Sequence, residues 1–597
     1  MYVLGLSFYY HDSAAALIRD GVVVAAGAEE RFSRKKHDNG FPALAIDFCL
    51  RKAGISIHEV DQVVFYEKPF VKFERLLTTA FATFPRSHRV FRESMRRWVT
   101  DKLWIKPLIR DRLGVEPRKI LFCEHHMSHA AATFFCSPFD EAAILTVDGA
   151  GEWTTGTVGV GRGTQIAIEQ ESRFPHSLGL LYSAFTAYCG FEVNEGEYKL
   201  MGMAPYGQPR YVDRVKKMIK IGADGSYWLD LDHFAFHYSP DTTLAPKFSE
   251  VMGRPPRDPA LGDKSLDPFY CDVASSIQAV TEEVMIALAA GLQRRTGLKN
   301  LCMAGGVALN SVANAKILRD AGFERIYIPP GPGDDGGAIG AALWAYHHLL
   351  GKPRVGALGH AYLGSEYSES EIGDFLGEHG LAYVHIEDDE RFFARVVDDL
   401  TAGKVCGWYR GRFEWGPRAL GARSIIADPR RAEMKDVVNA KIKFREAFRP
   451  FAPSVLGERC EEYFELPDAL EHLPARFMLY VVPVKEEKRD VIPAITHVDG
   501  SGRLQTVIRE TNPAYHRMIE LFGEATGVPV VLNTSFNLKG EPIVETPLNA
   551  FNTFTRSEMD VLYLGNFVIE RAAKRKLVDD TRFVLRHQGD SVVEMVS

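Results

Sequence analysis

One pattern occurs twice in this chain and limits what it can fold into. "YVLGLS" (residues 2–7) is a short apolar run, closed by the polar turn "FYYHDS" and followed by a second apolar run, "AAALIRDGVVVAAGAEE". About 140 residues later, "AAILTVDGAGEWTTGTVGVGRG" repeats the scheme with an acidic, Gly-rich turn. Apolar runs bounded by polar turns read as strands. Two strand–turn–strand units point to a duplicated α/β domain with a ligand between its halves, although any α/β protein contains such hairpins. In the duplicated reading the turns after each first strand face one another, and His11 lies across a cleft from Asp148. A cleft histidine can act as a general base on a hydroxyl; a hydrogen-bonded turn histidine is the alternative.

At 597 residues the chain is long enough for two or more domains of about 100–200 residues. The stretch 351–370 is rich in Gly and Ser and reads as a connector, so the expected domains are 1–361 and 362–597. A net charge of -7 argues against a nucleic acid as the main partner, because phosphate backbones select basic surfaces. No stretch of about 20 apolar residues is seen that would span a bilayer, and the N-terminus lacks a basic start followed by an apolar run, so neither a membrane nor a signal peptide is expected. The eight cysteines are scattered with no CxxC pair, which fits a reducing cytoplasm rather than a disulfide scaffold.

His125 and His129 in "EHHMSHAA" are four residues apart and would stack on one face of a helix. That spacing suits two ligands of one metal ion; polar residues lining a helix start are the alternative. His126 points about 100° away around such a helix and is left out. Asp148 ends an apolar strand. Asp334 and Asp335 sit in "PPGPGDDGGAIGAAL", a Gly-rich loop leading into a helix of small residues. Two imidazoles with carboxylates and no thiolate suit iron, manganese or a similar divalent ion. For Asp335 a helix N-cap is the other role, and both can hold at once. In "MAGGVALNSVANAK" the backbone of a Gly-Gly turn can cradle an anionic or nucleotide group.

The second region is dense in arginine. Arg418 and Arg423 frame "GPRALGARS", Lys443, Arg445 and Arg449 occupy "KIKFREAFRP", and Arg503 follows in "HVDGSGRLQTV". Guanidinium forks match phosphate oxygens bidentately, and these charges alternate with Gly, Pro and Phe, unlike a solvated charged face. Asn533, Thr534, Ser535 and Asn537 place amides and hydroxyls at a strand end, where ligands often sit in open α/β sheets.

Taken in order, "HDSAAAL", "EERFSRKKHD", "EHHMSHAA", "VDGAGEW", "GEYKLMGMAPYG", "GGVALN" and "WGPRALGARSI" resemble the bacterial O-carbamoyltransferases of nodulation-factor, cephamycin, tobramycin and saxitoxin type, the short "GLSFYYHDSAAAL" being most similar to the saxitoxin-type members. The resemblance covers nearly the whole chain. It implies an N-terminal duplicated actin/hexokinase-like (ribonuclease H-like) α/β domain and a C-terminal YrdC-like α/β domain. It places the family's metal motif on His125, His129, Asp148 and Asp335, with iron as the expected ion, and the essential histidine on His11. Nucleotide or adenylate contacts in the first domain are expected from Gly149, Lys199, Gly305, Gly306 and Asn310. In the second domain, the KxR and SxN signatures fall on Lys443–Arg445 and Ser535–Asn537, with Arg418, Arg423, Arg449, Arg503 and Asn533 as further contacts to ATP with Mg²⁺ and carbamoyl phosphate. The implied activity is ATP-dependent carbamoyl transfer through a carbamoyl-adenylate to a hydroxyl of a small molecule, in a possible homodimer. An actin-fold phosphotransferase such as a sugar kinase, and a tRNA threonylcarbamoyl-type enzyme, are the competing activities. The acceptor is sought in the 70–98 stretch, read as a helical lid or as helix with an ordinary core face, and in the 230–267 loop.

Overall fold

The computed structural model describes residues 1–260, 266–443 and 448–571. They form two compact units. The first holds residues 1–23, 39–41 and 55–358; the second holds 24–38, 42–54 and 359 onward. The division falls after residue 358, and two short early segments, 24–38 and 42–54, belong with the later half.

Two five-stranded sheets share one topology, and all of their strands except residues 24–28 lie in the first unit. In the first, β1 (Tyr2–Ser7) pairs antiparallel with β2 (Ala14–Arg19) and parallel with β4 (Gln62–Phe65), which pairs parallel with β5 (Ile120–Phe122). With β3 (Val22–Ala28) the order is β3-β2-β1-β4-β5. In the second, β6 (Glu141–Val147) pairs antiparallel with β7 (Thr154–Arg162), and β7 with β8 (Gln165–Arg173). A separate hairpin, β9 (Ile219–Ile221) and β10 (Tyr227–Leu229), follows. Then β11 (Asn300–Ala304) joins β6 in parallel and β12 (Arg325–Tyr327) joins β11 in parallel, giving β8-β7-β6-β11-β12. The two sheets share strand order, and β2, β1, β4 and β5 run as β7, β6, β11 and β12 do, so the duplication read from the two strand–turn–strand patterns is present in the fold.

A helix leaves the last strand of each sheet: His125–Phe134 after β5 and Gly336–Leu343 after β12. They cross in contact. A Cβ on Gly340 would stand 1.8 Å from the Ser128 carbonyl oxygen, and one on Gly5 1.8 Å from that of Ala338. The run "GGAIGAAL" is thus made of small residues because backbone meets backbone there.

Helix Pro268–Thr296 bears on the expected lack of a membrane-spanning stretch. Over its best window the mean hydropathy is 1.3, which by length and composition is enough to cross a membrane. Yet 61% of that window is buried within the fold, and Gln278, Thr281 and Glu282 are among the helix's buried residues. Alanines interspersed with polar residues raise the average without making an unbroken apolar run.

The second unit carries a nine-stranded mixed sheet in the order β13-β21-β20-β14-β15-β19-β16-β18-β17. The strands are β13 (Val384–His385), β14 (Cys406–Tyr409), β15 (Arg423–Ala427), β16 (Ala452–Leu456), β17 (Tyr480–Pro483), β18 (Ser501–Val507), β19 (Val530–Ser535), β20 (Val561–Leu564) and β21 (Phe567–Glu570). Helix Asp389–Thr401, capped by Asp388 on Arg391 N–H, turns Phe392, Phe393, Val396, Val397 and Leu400 inward at helical spacing. With Met518, Ile519 and Phe522 of helix Pro513–Thr526 they form one core on Trp408, Val531 and Tyr563. Each such side chain contributes about 1.5–3 kcal/mol on burial.

Candidate functional site

The crossing helices of the first unit assemble a compact polar cluster. His125 and His129 project from one helix face, as the four-residue spacing requires. Their Nε2 atoms are 3.1 Å apart, and Asp148 Oδ2 lies 3.0 and 3.3 Å from them. Asp334 Oδ1 lies 3.6 Å from both. One ligand atom from each of these four residues falls within 4.8 Å of the others. Two nitrogens about 2.1 Å from one ion and at a right angle to it stand about 3 Å apart, so this separation fits a shared cation. Two neutral imidazoles and two carboxylates balance a divalent charge and favour a metal with mixed nitrogen and oxygen preference. Burial alone would push His129 down, but Asp148 and Asp334 push it up to about 9. Burial alone would raise Asp148, but the two imidazoles hold it well below the usual carboxylate range.

The supporting contacts explain the geometry. Asp148 Oδ1 accepts the Gly306 N–H at 3.1 Å. Glu152 accepts the His125 N–H and that of Lys68, fixing the start of the helix. Glu152 lies in the quoted motif "VDGAGEW" but had no assigned role; its place four residues after a ligand at a strand end was the available signal. His126 turns away to Thr146 Oγ1 at 2.7 Å, and burial holds its imidazole well below its ordinary pKa.

Asp335 was expected as a ligand that also caps a helix. Its neighbour Asp334 joins the cluster, while Asp335 sits at the N-cap of helix Gly336–Leu343 and accepts the Gly336 N–H at 2.9 Å. The first carboxylate of "DDGG" ends the loop and the second caps the helix. Asn310 is likewise committed elsewhere. It caps helix Ser311–Asp320 through Ala313 N–H and pairs with Gln278 at 3.0 and 3.1 Å. Gly305 takes φ +94° and passes so close to β6 that a Cβ would lie 2.3 Å from the Val147 carbonyl oxygen. Gly149 accepts the Ser177 hydroxyl through its carbonyl, and Lys199 lies 5.8 Å from the Phe191 ring.

His11 Nδ1 bonds Asp12 Oδ2 at 2.7 Å. Burial would lower the imidazole, but Asp12 and, more weakly, Asp334 push it up to about 9. Its turn is held by Lys102, which donates to the Tyr9 carbonyl at 2.6 Å. The 70–98 stretch forms helices Pro69–Ala82 and His88–Thr100. The first helix does not have an ordinary core face: it buries Lys72 and Arg75, while Phe70 and Phe81 are 69% and 70% exposed. Lys72 pairs with the buried Glu67 at 2.5 Å beneath the Tyr10 ring.

In the second unit, Lys443, Ser535 and Asn537 come together. Lys443, 5% exposed, donates to Ser535 O and Oγ and to Asn537 O and Oδ1 at 2.5 to 3.2 Å. Arg445 lies outside the described residues. Arg418, Arg449 and Arg503 are half-buried; Arg503 shares a face of β18 with Gln505, two residues on. Arg423, expected at the phosphates, is wholly buried, stacks 3.6 Å over the Tyr409 ring and donates to the carbonyls of Gly411, Ala422 and Ser365. Asn533 also faces inward, donating to Ala419 O, Ser454 Oγ and Gln505 Oε1.

Family models described as carbamoyltransferase N-terminus and carbamoyltransferase C-terminus match residues 2–343 and 397–571. A protein of Synechocystis, sll1178, is 47% identical over 98% of both chains. Nodulation protein NolNO of Sinorhizobium fredii is 38% identical over 94% of this chain and 79% of its own. The 3'-hydroxymethylcephem-O-carbamoyltransferase of Streptomyces clavuligerus is 31% identical over 48% of this chain and 52% of its own. The chain belongs to the carbamoyltransferase family and is an enzyme of that kind.

Proposed function

We propose that the protein transfers a carbamoyl group from carbamoyl phosphate to a hydroxyl of a small molecule at the expense of ATP, each unit carrying one half of the reaction. Support comes from the two separate polar clusters, one per unit, in a chain of this family.

In the second unit, water cleaves carbamoyl phosphate to carbamate and phosphate. A carbamate oxygen then attacks the α-phosphorus of ATP, supplied with Mg²⁺, and pyrophosphate leaves. Lys443, held by Ser535 and Asn537, and the half-buried Arg418, Arg449 and Arg503 supply positive charge for the phosphate oxygens. Carbamate is a poor electrophile, and adenylation gives it a leaving group.

In the first unit, the acceptor hydroxyl attacks the carbamoyl carbon, the C–O bond to the phosphate breaks and AMP leaves. His11, oriented by Asp12, takes the hydroxyl proton, an effect typically worth about 10²–10⁴-fold. His125, His129, Asp148 and Asp334 would hold a divalent metal, iron in this proposal, which when bound supplies a Lewis acid for the phosphate and acyl oxygens. Gly306 N–H keeps Asp148 turned toward the histidines.

The test is pyrophosphate release from ATP, carbamoyl phosphate and Mg²⁺, with each omitted in turn. Release that needs both substrates and leaves carbamoyl-adenylate, or AMP once water hydrolyses it, is the expected result. ADP in place of AMP and pyrophosphate would favour a phosphotransferase and remove the role given to the second unit.

A further inference from the structure

The motif "EERFSRKKHD" (residues 29–38) has no part in either half-reaction above, and it lies within the stretch matched by the N-terminal family model. In the fold it belongs to the second unit. Glu29 ties it down by accepting the N–H groups of Leu44 and Ala45, at the start of helix Ala43–Ala53. Two arginines then reach the loops that carry the anion-binding residues.

Arg31, almost wholly buried, donates to the Gly416 carbonyl at 2.9 Å and lies over the Phe413 ring. Gly416 opens the loop that bears Arg418. The far end of that loop is pinned by Glu414, whose Oε1 accepts the N–H groups of Leu420, Ala422 and Arg423. Arg34 donates to Ile543 O at 2.7 Å and to Pro542 O at 2.8 Å. Those carbonyls close the loop that follows β19: Val544 N–H bonds Phe536 O, and Asn537 Nδ2 bonds Glu541 O at 2.7 Å. Asn537 in turn holds Lys443 at 2.9 Å.

Arg34 has φ +60°, a left-handed conformation at the C-terminus of helix Glu29–Ser33 where glycine is the usual choice. An arginine there breaks a local rule, which is accounted for by the two carbonyls its guanidinium reaches.

We infer that Arg31 and Arg34 are positioning residues for the second unit's carbamoyl phosphate and ATP site, holding the Arg418 loop and the Asn537 loop from a segment that precedes most of the first unit in sequence. This rests on the function proposed above. It implies that residues 359–597 alone lack part of their own site.

The test uses the full chain with Arg34→Gly, Arg34→Lys and Arg31→Ala. Arg34→Gly relieves the left-handed backbone, so it separates loss of the guanidinium from loss of folding. Amide hydrogen exchange is followed in peptides covering 414–424 and 534–545, with 120–150 as the control, beside the apparent KM for each substrate in pyrophosphate release. In Arg34→Gly, exchange in 534–545 and both KM values are expected to rise about tenfold, the scale of one lost charge-assisted contact, with 120–150 unchanged. Arg34→Lys, which offers no fork, should recover only part of this, and Arg31→Ala should act on 414–424. Unchanged exchange in both loops, or a rise spread evenly over the second unit, would overturn the inference. Wild-type protein that released no pyrophosphate would instead count against the proposed function, and the exchange data would still decide the positioning role.

Discussion

Asp334 and Asp335 are adjacent in sequence and do different work: one lies 3.6 Å from both imidazoles of the cluster, while the other caps the next helix through the Gly336 N–H. If the proposed metal site is right, the pair separates a ligand role from a folding role at neighbouring positions. Asp334→Asn should therefore lower bound divalent metal by at least about tenfold, as His129→Ala should. Asp335→Asn should keep it, because Asn caps about as well as Asp. Metal content per chain, measured after dialysis, checks this; equal loss in both aspartate variants would return the ligand role to Asp335.

The crossing of helices His125–Phe134 and Gly336–Leu343 depends on Gly340. Gly340→Ala would put a methyl 1.8 Å from the Ser128 carbonyl oxygen, and backbone cannot yield as a flexible side chain can. Destabilisation of at least about 1–3 kcal/mol is expected, together with weaker metal binding, since Ser128 lies on the ligand helix. Thermal melting with and without added metal would register both effects.

His11 is pushed up to about 9 by Asp12 against the effect of burial, so at neutral pH most of it is protonated and cannot accept a proton. Transfer to the acceptor, measured with adenylate formation not limiting, should rise with pH toward about 9. Asp12→Asn removes the partner that raises the imidazole and should move this rising limb to lower pH. His11→Ala should abolish the limb and most of the transfer while leaving pyrophosphate release intact. A transfer profile unchanged in both variants would exclude His11 as the base.

Arg423 was expected at the phosphates but is built into the core of the second unit. Arg423→Ala should cost roughly 3–5 kcal/mol, because it strips hydrogen bonds from three carbonyls and the stacking partner from Tyr409. Arg418→Ala should leave the melting temperature within a few degrees and raise the KM for carbamoyl phosphate. Parallel melts and substrate titrations of the two variants distinguish a folding arginine from a binding one.

The signals readable from sequence were local ones. Apolar runs with polar turns announced β1–β2 and β6–β7, because strand and turn preferences act over a few residues. The His125–His129 spacing announced two donors on one helix face, because 3.6 residues make a turn. The motif order announced the family. Four features were decided only by the tertiary structure. Asp334 joined the histidine cluster because the loop ends one residue before the helix cap. Arg423 and Asn533 went inward because buried acceptors meet them there, the carbonyls of Gly411, Ala422 and Ser365 for the one and Ala419 O, Ser454 Oγ and Gln505 Oε1 for the other. Helix Pro69–Ala82 buried Lys72 and Arg75 because Glu67 and the Gly151 carbonyl were there to receive them. Residues 24–38 joined a unit whose other strands begin hundreds of residues later. Each of these depends on a partner remote in the chain, and a remote partner leaves no periodic trace in the segment that meets it. The sequence by itself determined the elements, the chemistry available to them and the family; the packing of distant backbone decided which of those side chains face a ligand and which hold the fold.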